Sequence, residues 1–300
     1  MGYRTLLYVI GFVLLWNSGF IGAEYGLPFA GPFTLLFWRY LGLTLLLFIY
    51  LLFSNRLQWV GWALAGPHML IGVLAHGVWL SCVLLALDQA VPAGIVALVV
   101  ALQPLATGAL SGQVTGETTA RHQWIGLGLG FSGVLLTVLA RIDFGNAASI
   151  FGYLIPFGSV VGITVATLIQ RHLELQPDVP KLPLTLSLFY QSLPTLLFLS
   201  LPAWLGEGFT TQWTAVFIYT ELWLTVAVSF GAYALLWLLL ERLPATRVAS
   251  LFYLGPPVTL FLAWLAFGDT LQRMDVVGLL VVLSGVYFTQ RRKPLGHQGS

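Results

Sequence analysis

The chain has 300 residues, of which 58% are hydrophobic and 8% charged, with a formal net charge of +2. Soluble domains carry about a quarter of their residues as Asp, Glu, Lys or Arg, so this chain has too few polar groups to cover a water-facing surface and needs lipid as its solvent. The small net charge gives no basis for nucleic-acid binding, and the one cysteine, Cys82, permits no intrachain disulfide.

A helix of about 20 apolar residues crosses a hydrocarbon core of about 30 Å. Runs of that kind fall in chain order at 5–23, 33–53, 64–87, 91–111, 124–140, 149–170, 184–202, 216–240, 244–267 and 274–290. They are about twice the length of a barrel strand and lack two-residue alternation. The expected fold class is therefore an all-α polytopic membrane protein with ten transmembrane helices. The first run follows Arg4 but is too long for a signal-peptide core and has no small-x-small cleavage site, so it reads as the first helix. The short connections alternate in charge. Arg4, Arg56, Arg121, Arg171, Lys181, Arg242, Arg247, Arg291, Arg292 and Lys293 fall on one side, and only Arg141 and Arg273 on the other. That asymmetry places both termini in the cytoplasm.

Residues 92–104, PAGIVALVVALQP, match residues 244–256, PATRVASLFYLGP, at an offset of 152. The same offset aligns GET at 116–118 with GDT at 268–270, Arg121 with Arg273, and Gly126, Ser132 and Gly133 with Gly278, Ser284 and Gly285. Chance likeness between apolar helices matches Leu and Val, not glycines, prolines and acidic residues in one register. The chain thus divides into a first five-helix repeat, 1–141, a second, 142–290, and a basic tail, 291–300. Five is odd, so the second repeat enters the membrane from the opposite side. Inverted repeats of this kind are a transporter architecture, in which two like halves exchange inward and outward shapes around a midplane site. Pro92 and Pro244 suit helix starts. Pro104 and Pro256, with Pro257 beside it, fall about 18 Å further along. Each frees a carbonyl and bends its helix there, and a freed carbonyl must face protein or water. These prolines are either static packing kinks or gating hinges.

The strings ALDQAVPAGIVALVVALQPLATGAL, YALLWLLLERLPATRVASLFYLGPPV, LLWNSGFIGAEYGL and GPFTLLFWRY resemble the drug/metabolite transporter superfamily. Within it they resemble the EamA-type exporter branch, over essentially the whole chain. The resemblance implies ten helices, cytoplasmic termini, an inner-membrane location and metabolite export. The Trp-rich helices look most like the YddG-type aromatic amino-acid exporters. The seventh run departs from the second by placing Tyr190-Gln191 where the second run has its Arg.

No phosphate-binding G-x-x-x-x-G-K-[ST], H-E-x-x-H or G-x-S-x-G motif is present. No catalytic set, metal site or cofactor is implied. The eleven acidic residues all read as helix ends or loops, whereas ion-coupled carriers often bury a carboxylate deep in a helix. Facilitated transport is the expectation, with His76 the alternative coupling group, or else a neutral hydrogen-bonded histidine. Arg39, early in the second run, either holds a substrate carboxylate or pairs within the bundle. The expected substrate pathway gathers Trp16 and Asn17 from the first run, Trp38 from the second, and His76 and Trp79 from the third. Gln103 comes from the fourth, Tyr190 and Gln191 from the seventh, Tyr233 and Trp237 from the eighth, and Tyr253 from the ninth. Aromatic faces and neutral polar groups of this kind can hold a zwitterion and still release it. Glycines at 126, 130, 133, 278 and 285 make small stripes for close helix contact, within one chain or at a homodimer seam. The partners expected are therefore a small-molecule substrate and the lipid bilayer. The reading is an exporter of small metabolites, amino acids including aromatic ones. A carrier of other small metabolites or drugs and a non-transporting scaffold are the alternatives.

Overall fold

The structure is a computed structural model and describes residues 2–89, 91, 93–139, 150–268 and 273–290. Among the described residues the regular elements are all helices, and the one β feature is an isolated antiparallel bridge between Ala30 and Thr211. In chain order the helices are α1 (Tyr3–Gly26), α2 (Pro32–Phe53), α3 (62–88), α4 (93–114), α5 (Arg121–Leu139), α6 (Ile150–Leu175), α7 (Leu184–Glu207), α8 (Ala215–Arg242), α9 (Ala245–Phe267) and α10 (Arg273–Gln290). Among the described residues, eight are long and apolar enough to cross a bilayer: α1–α3 and α6–α10. Pro92, the 141/142 boundary and the tail 291–300 lie outside the described residues.

Several helices run further than their apolar runs predict. The seventh run ends at 202, yet α7 continues through Pro194 and Pro202 to Glu207 and stops at Gly208, whose φ of 60° supplies the left-handed turn that closes a helix. Four helices are irregular. Residues 73–78 of α3 and 224–232 of α8 are π-helical. α4 breaks after Val100 and restarts at Gln103, with Pro104 second in the new piece. α9 passes through a 3₁₀ turn, Leu251–Leu254, and restarts at Gly255, followed by Pro256 and Pro257. Proline is tolerated in a helix's first turn, where its missing N–H has no partner to lose. The two restarts, 103 and 255, are 152 apart, and the π segments overlap at the same offset.

Bilayers offer little hydrophobic force between helices, so contact depends on close fit. One close fit is between α5 and α10. A Cβ on Gly126 would come 2.6 Å from the carbonyl oxygen of Gly285, and one on Gly133 2.8 Å from that of Gly278. Thr289 covers Gly126, and Thr137 covers Gly278. The glycine stripes are therefore used within the chain.

One end of the bundle carries residues 54–61, 115–120, 176–183 and 243–244, and we call it the basic end. The opposite end carries residues 27–31 and 208–214. There the Glu207 carboxylate accepts the backbone N–H of Phe33 (3.0 Å) and of Thr34 (2.7 Å) at the N-terminus of α2, where an anion is favoured. Gln212 N–H donates to the Phe29 carbonyl at 2.8 Å. At the basic end, Arg171 of α6 grips Glu117 through Nε (3.1 and 3.2 Å) and Nη2, while its Nη1 donates to the Leu240 carbonyl at 2.7 Å.

Candidate functional site

A buried aromatic and polar cluster lies where α1, α2, α3, α7 and α8 meet. The Trp16 ring from α1 packs on Trp79 of α3 at 5.1 Å and on Tyr233 of α8 at 4.8 Å between centroids. His76 lies 3.9 Å from the Tyr233 ring and 5.3 Å from that of Tyr40 on α2. Tyr233 Oη donates to the Ala75 carbonyl at 2.7 Å. The π-helical turns of α3 and α8 contain or border His76, Trp79 and Tyr233, and such turns re-aim side chains away from the regular helical register.

Gln191 fixes the chemistry of the cluster. Its Oε1 accepts from Trp237 Nε1 at 3.1 Å and lies 3.0 Å from His76 Nε2, while its Nε2 donates to Ser187 Oγ at 3.0 Å. An indole nitrogen only donates, so Oε1 must face Trp237. His76 must then donate from Nε2, which leaves Nδ1 as an acceptor in a neutral ring. That Nδ1 is buried without a hydrogen-bond partner, as are Trp79 Nε1 and Tyr40 Oη. Buried polar atoms are normally paired, and these three valences stand open around one cluster. Arg39 of α2 lies beside it, 3% exposed, with Nε donating to Ser229 Oγ of α8.

A cavity of about 260 Å³ opens at the basic end, lined by His68, Gln170, Glu174, Ser187, Trp237 and Glu241 among others. Ser187 Oγ is 2.9 Å from His68 Nδ1 and accepts from Gln191, and Trp237 shares Gln191. These bonds link the cavity wall to the central cluster. Lys181 and Glu174 pair at 3.3 Å at its rim.

The expected pathway residues thus divide. Trp16, His76, Trp79, Gln191, Tyr233 and Trp237 come together, with Arg39 alongside. Asn17 lies beside them on α1 but turns to α9: its Oδ1 accepts from Thr259 at 3.2 Å and sits 3.2 Å from where a Cβ on Gly255 would be. Gln103 donates to Thr107 of its own helix at 3.1 Å. Tyr253 packs on Gly130 of α5. Tyr190 donates to the Gln58 carbonyl at the basic end at 2.6 Å, and Trp38 to Thr211 at the opposite end at 2.9 Å. The residues that sequence reasoning missed are Tyr40, Ser187, Ser229 and Glu221. Glu221 corrects the expectation that every acid sits at a helix end. The helix starts at Ala215 behind its Thr214 cap, so Glu221 is seventh in α8, and it is buried.

Comparison with known proteins decides the class. The model of the EamA-like transporter family matches residues 3–139 and 150–291. The chain belongs to the EamA-like transporter family. It is a multi-pass inner-membrane transporter, not an enzyme. Among its relatives, it is 26% identical to the "Probable amino-acid metabolite efflux pump" of Salmonella typhimurium, over 95% of this chain and 93% of that one. It is 28% identical to the uncharacterized transporter YvbV of Bacillus subtilis, over 65% of this chain and 62% of that protein's length. The uncharacterized inner membrane transporter YedA of Escherichia coli is 25% identical over 95% of this chain and 92% of its own. A crystal structure, 20% identical, superposes over 97% of both chains with a TM-score of 0.76, which shows the shared fold.

Proposed function

We propose that this EamA-family transporter exports small zwitterionic metabolites, amino acids with aromatic side chains among them, by alternating access. The observation that carries the reading is the set of open valences in the central cluster. Arg39, Tyr40 Oη and Trp79 Nε1–H offer donors to a carboxylate. His76 Nδ1 offers an acceptor to an ammonium, and the faces of Trp16, Trp79 and Tyr233 can hold that ammonium by cation–π attraction and stack an aromatic side chain. The similarity to a probable amino-acid metabolite efflux pump favours the same substrate class. Within the family, the likeness of the Trp-rich helices to YddG-type exporters is the narrower form of the proposal.

The transport cycle we infer uses two inverted halves, 1–141 and 142–290, with the basic end in the cytoplasm. Three features at the 152 offset support it: the helix restarts at Gln103 and Gly255, the overlapping π segments, and the glycine contacts of α5 and α10. Pro104, Pro256 and Pro257 then serve as the hinges. The basic-end cavity is the cytoplasmic entrance, and the Glu207 and Gln212 contacts close the outer side. A carrier of other small metabolites is the second reading, kept because the cluster would suit other compact molecules with one carboxylate.

Counterflow in proteoliposomes over a panel of amino acids and other small metabolites tests the function. Saturable exchange of phenylalanine or tryptophan, reduced at least tenfold in Trp16→Ala, is the expected result. Exchange confined to another metabolite class would overturn the amino-acid reading and favour the second.

A further inference from the structure

Along α8, every fourth residue from 221 to 241 is polar or has a polar tip: Glu221, Thr225, Ser229, Tyr233, Trp237 and Glu241. The three-residue gaps between them hold aliphatic residues, Phe230 and Gly231, and one further polar tip, Trp223, which turns away to donate to Ser18 of α1 at 3.0 Å. In a regular α-helix a four-residue step overshoots the 3.6-residue turn by about 40°, and five such steps would carry the series about 200° round to the other face. The π-helical stretch Leu224–Ala232 counters this. Its i→i+5 turns take in more residues, so a four-residue step falls short there and the drift is reduced.

The contacts show the series on one inward face. Thr225 Oγ1 donates to the Arg39 carbonyl at 3.3 Å, and Ser229 receives the Arg39 side chain. Tyr233 reaches Ala75, Trp237 reaches Gln191, and Glu241 lines the basic-end cavity. The first five members are buried; only Glu241 is exposed.

Glu221 heads the series about 10 Å along α8 from its first residue. It is 9% exposed, and both carboxylate oxygens are buried without a hydrogen-bond partner. The ionisable groups on the elements packed against this part of α8 are Arg39 and Tyr40 on α2 and, at the outer end of α1, Glu24 and Tyr25, both exposed. Tyr219 is on α8 itself, and residues 255–267 of α9 contain none. The Arg39 charge acts on Glu221, yet no ion pair joins them. An ionised carboxylate left this way is unfavourable, and ionisable groups at membrane depth mark proton or ion pathways. A metal cation would need a cage of oxygens, and Glu221 has no polar neighbour in hydrogen-bond reach. A proton needs only the carboxylate.

We propose that Glu221 is a proton-binding site that couples export to proton entry. With the outer end open, the carboxylate takes a proton from external water. With the basic end open, the acid gives the proton to water entering from the cytoplasmic side, restoring the carboxylate. One proton enters for each zwitterion exported, and no bond of the substrate changes. The inference rests on the export reading above.

The test uses the full chain in proteoliposomes with labelled phenylalanine. With the membrane potential clamped at zero, since each exchange moves one net charge, an imposed gradient of about one pH unit should drive about tenfold accumulation by one-for-one exchange. Glu221→Gln should abolish that accumulation while leaving counterflow at symmetrical pH, and Glu221→Asp should retain the gradient response. Accumulation that ignores the pH gradient, follows a sodium gradient instead, or survives in Glu221→Gln would overturn the proposal. If phenylalanine shows no counterflow at all, the export reading fails separately, and infrared difference spectra of the protein in lipid then decide the site. A protonated-carboxyl carbonyl band that disappears in Glu221→Gln supports proton binding, and its absence from the wild type overturns it.

Discussion

Gly126 of α5 lies against the backbone of Gly285 of α10, and the 152 offset maps this pair onto Gly278 and Gly133, which make the same contact in reverse. The threonines follow: Thr289 covers Gly126, and Thr137 covers Gly278. A contact that maps onto itself in this way is what a twofold relation between two halves produces, and it is a physical reason for glycine at all four positions.

The first prediction follows from that contact. A Cβ on Gly285 would meet the Gly130 amide and come 2.6 Å from the Gly126 carbonyl, both backbone atoms that cannot rotate away, whereas one on Gly128 meets nothing within 4 Å. Gly285→Ala should therefore destabilise the protein by about 1–3 kcal/mol through overpacking. Gly128→Ala, on the facing helix α5, should be neutral or slightly stabilising through helix propensity. Thermal unfolding in detergent compares the two.

Gln191 is the second. Its Oε1 accepts from Trp237 and His76 together. Gln191→Leu leaves two buried N–H groups without an acceptor, each costing about 1–3 kcal/mol. It should lower both stability and counterflow. Gln191→Glu keeps an acceptor at that place and should lose less stability, but it adds a charge to the cluster and should still impair exchange by at least tenfold. Stability and transport measured on both variants separate the acceptor's role from neutrality.

The third concerns the opposite end. Two backbone N–H groups of α2 converge on one Glu207 carboxylate. Glu207→Ala removes both charge-assisted bonds and the favourable anion at the helix N-terminus, worth about 1–2 kcal/mol in partly buried geometry. If this contact forms only in the outward-closed state, its loss shifts the population outward by about 5–30-fold. Spin-label distances between residues 27–31 and 208–214 should lengthen in Glu207→Ala. An unchanged distribution would show that the contact is a static cap.

The sequence made these features legible unevenly, for physical reasons. Helix existence followed from apolar length, and the breaks in α4 and α9 followed from Pro104 and Pro256, because a missing N–H acts locally. Six of the pathway residues converge, since Trp, His and Gln inside apolar runs have few other places to go. Gln103, Tyr190, Trp38 and Tyr253 show the limit: a mid-run polar or aromatic residue also serves its own helix, a loop carbonyl or a glycine opposite. The four-residue series of α8 was present in the sequence but matches neither a 3.6-residue nor a two-residue template. It becomes one face only because π turns intervene. The pairing of Glu117 with Arg171, 54 positions apart, has no local signal at all.

That pair carries the last prediction. Arg171 holds Glu117 through two nitrogens and reaches the Leu240 carbonyl with a third, and Glu117 also accepts the Ala245 N–H at 3.4 Å. The side chains are 10% and 21% exposed, so solvent screening is incomplete. One planar guanidinium thus ties the end of α6 to the loop after α4 and to the α8–α9 connection. Lysine keeps the charge but has neither the fork nor the reach for a second direction. Arg171→Lys should therefore destabilise nearly as much as Arg171→Gln, by about 1–3 kcal/mol, because hydrogen bonds to charged groups dominate the contribution. Glu117→Gln, which keeps one acceptor oxygen, should cost less. In a double-mutant cycle the two sites should couple by at least about 0.5 kcal/mol. Additive effects would mean that Arg171 acts through the Leu240 carbonyl alone, and the basic end would then be held by backbone contacts rather than by this ion pair.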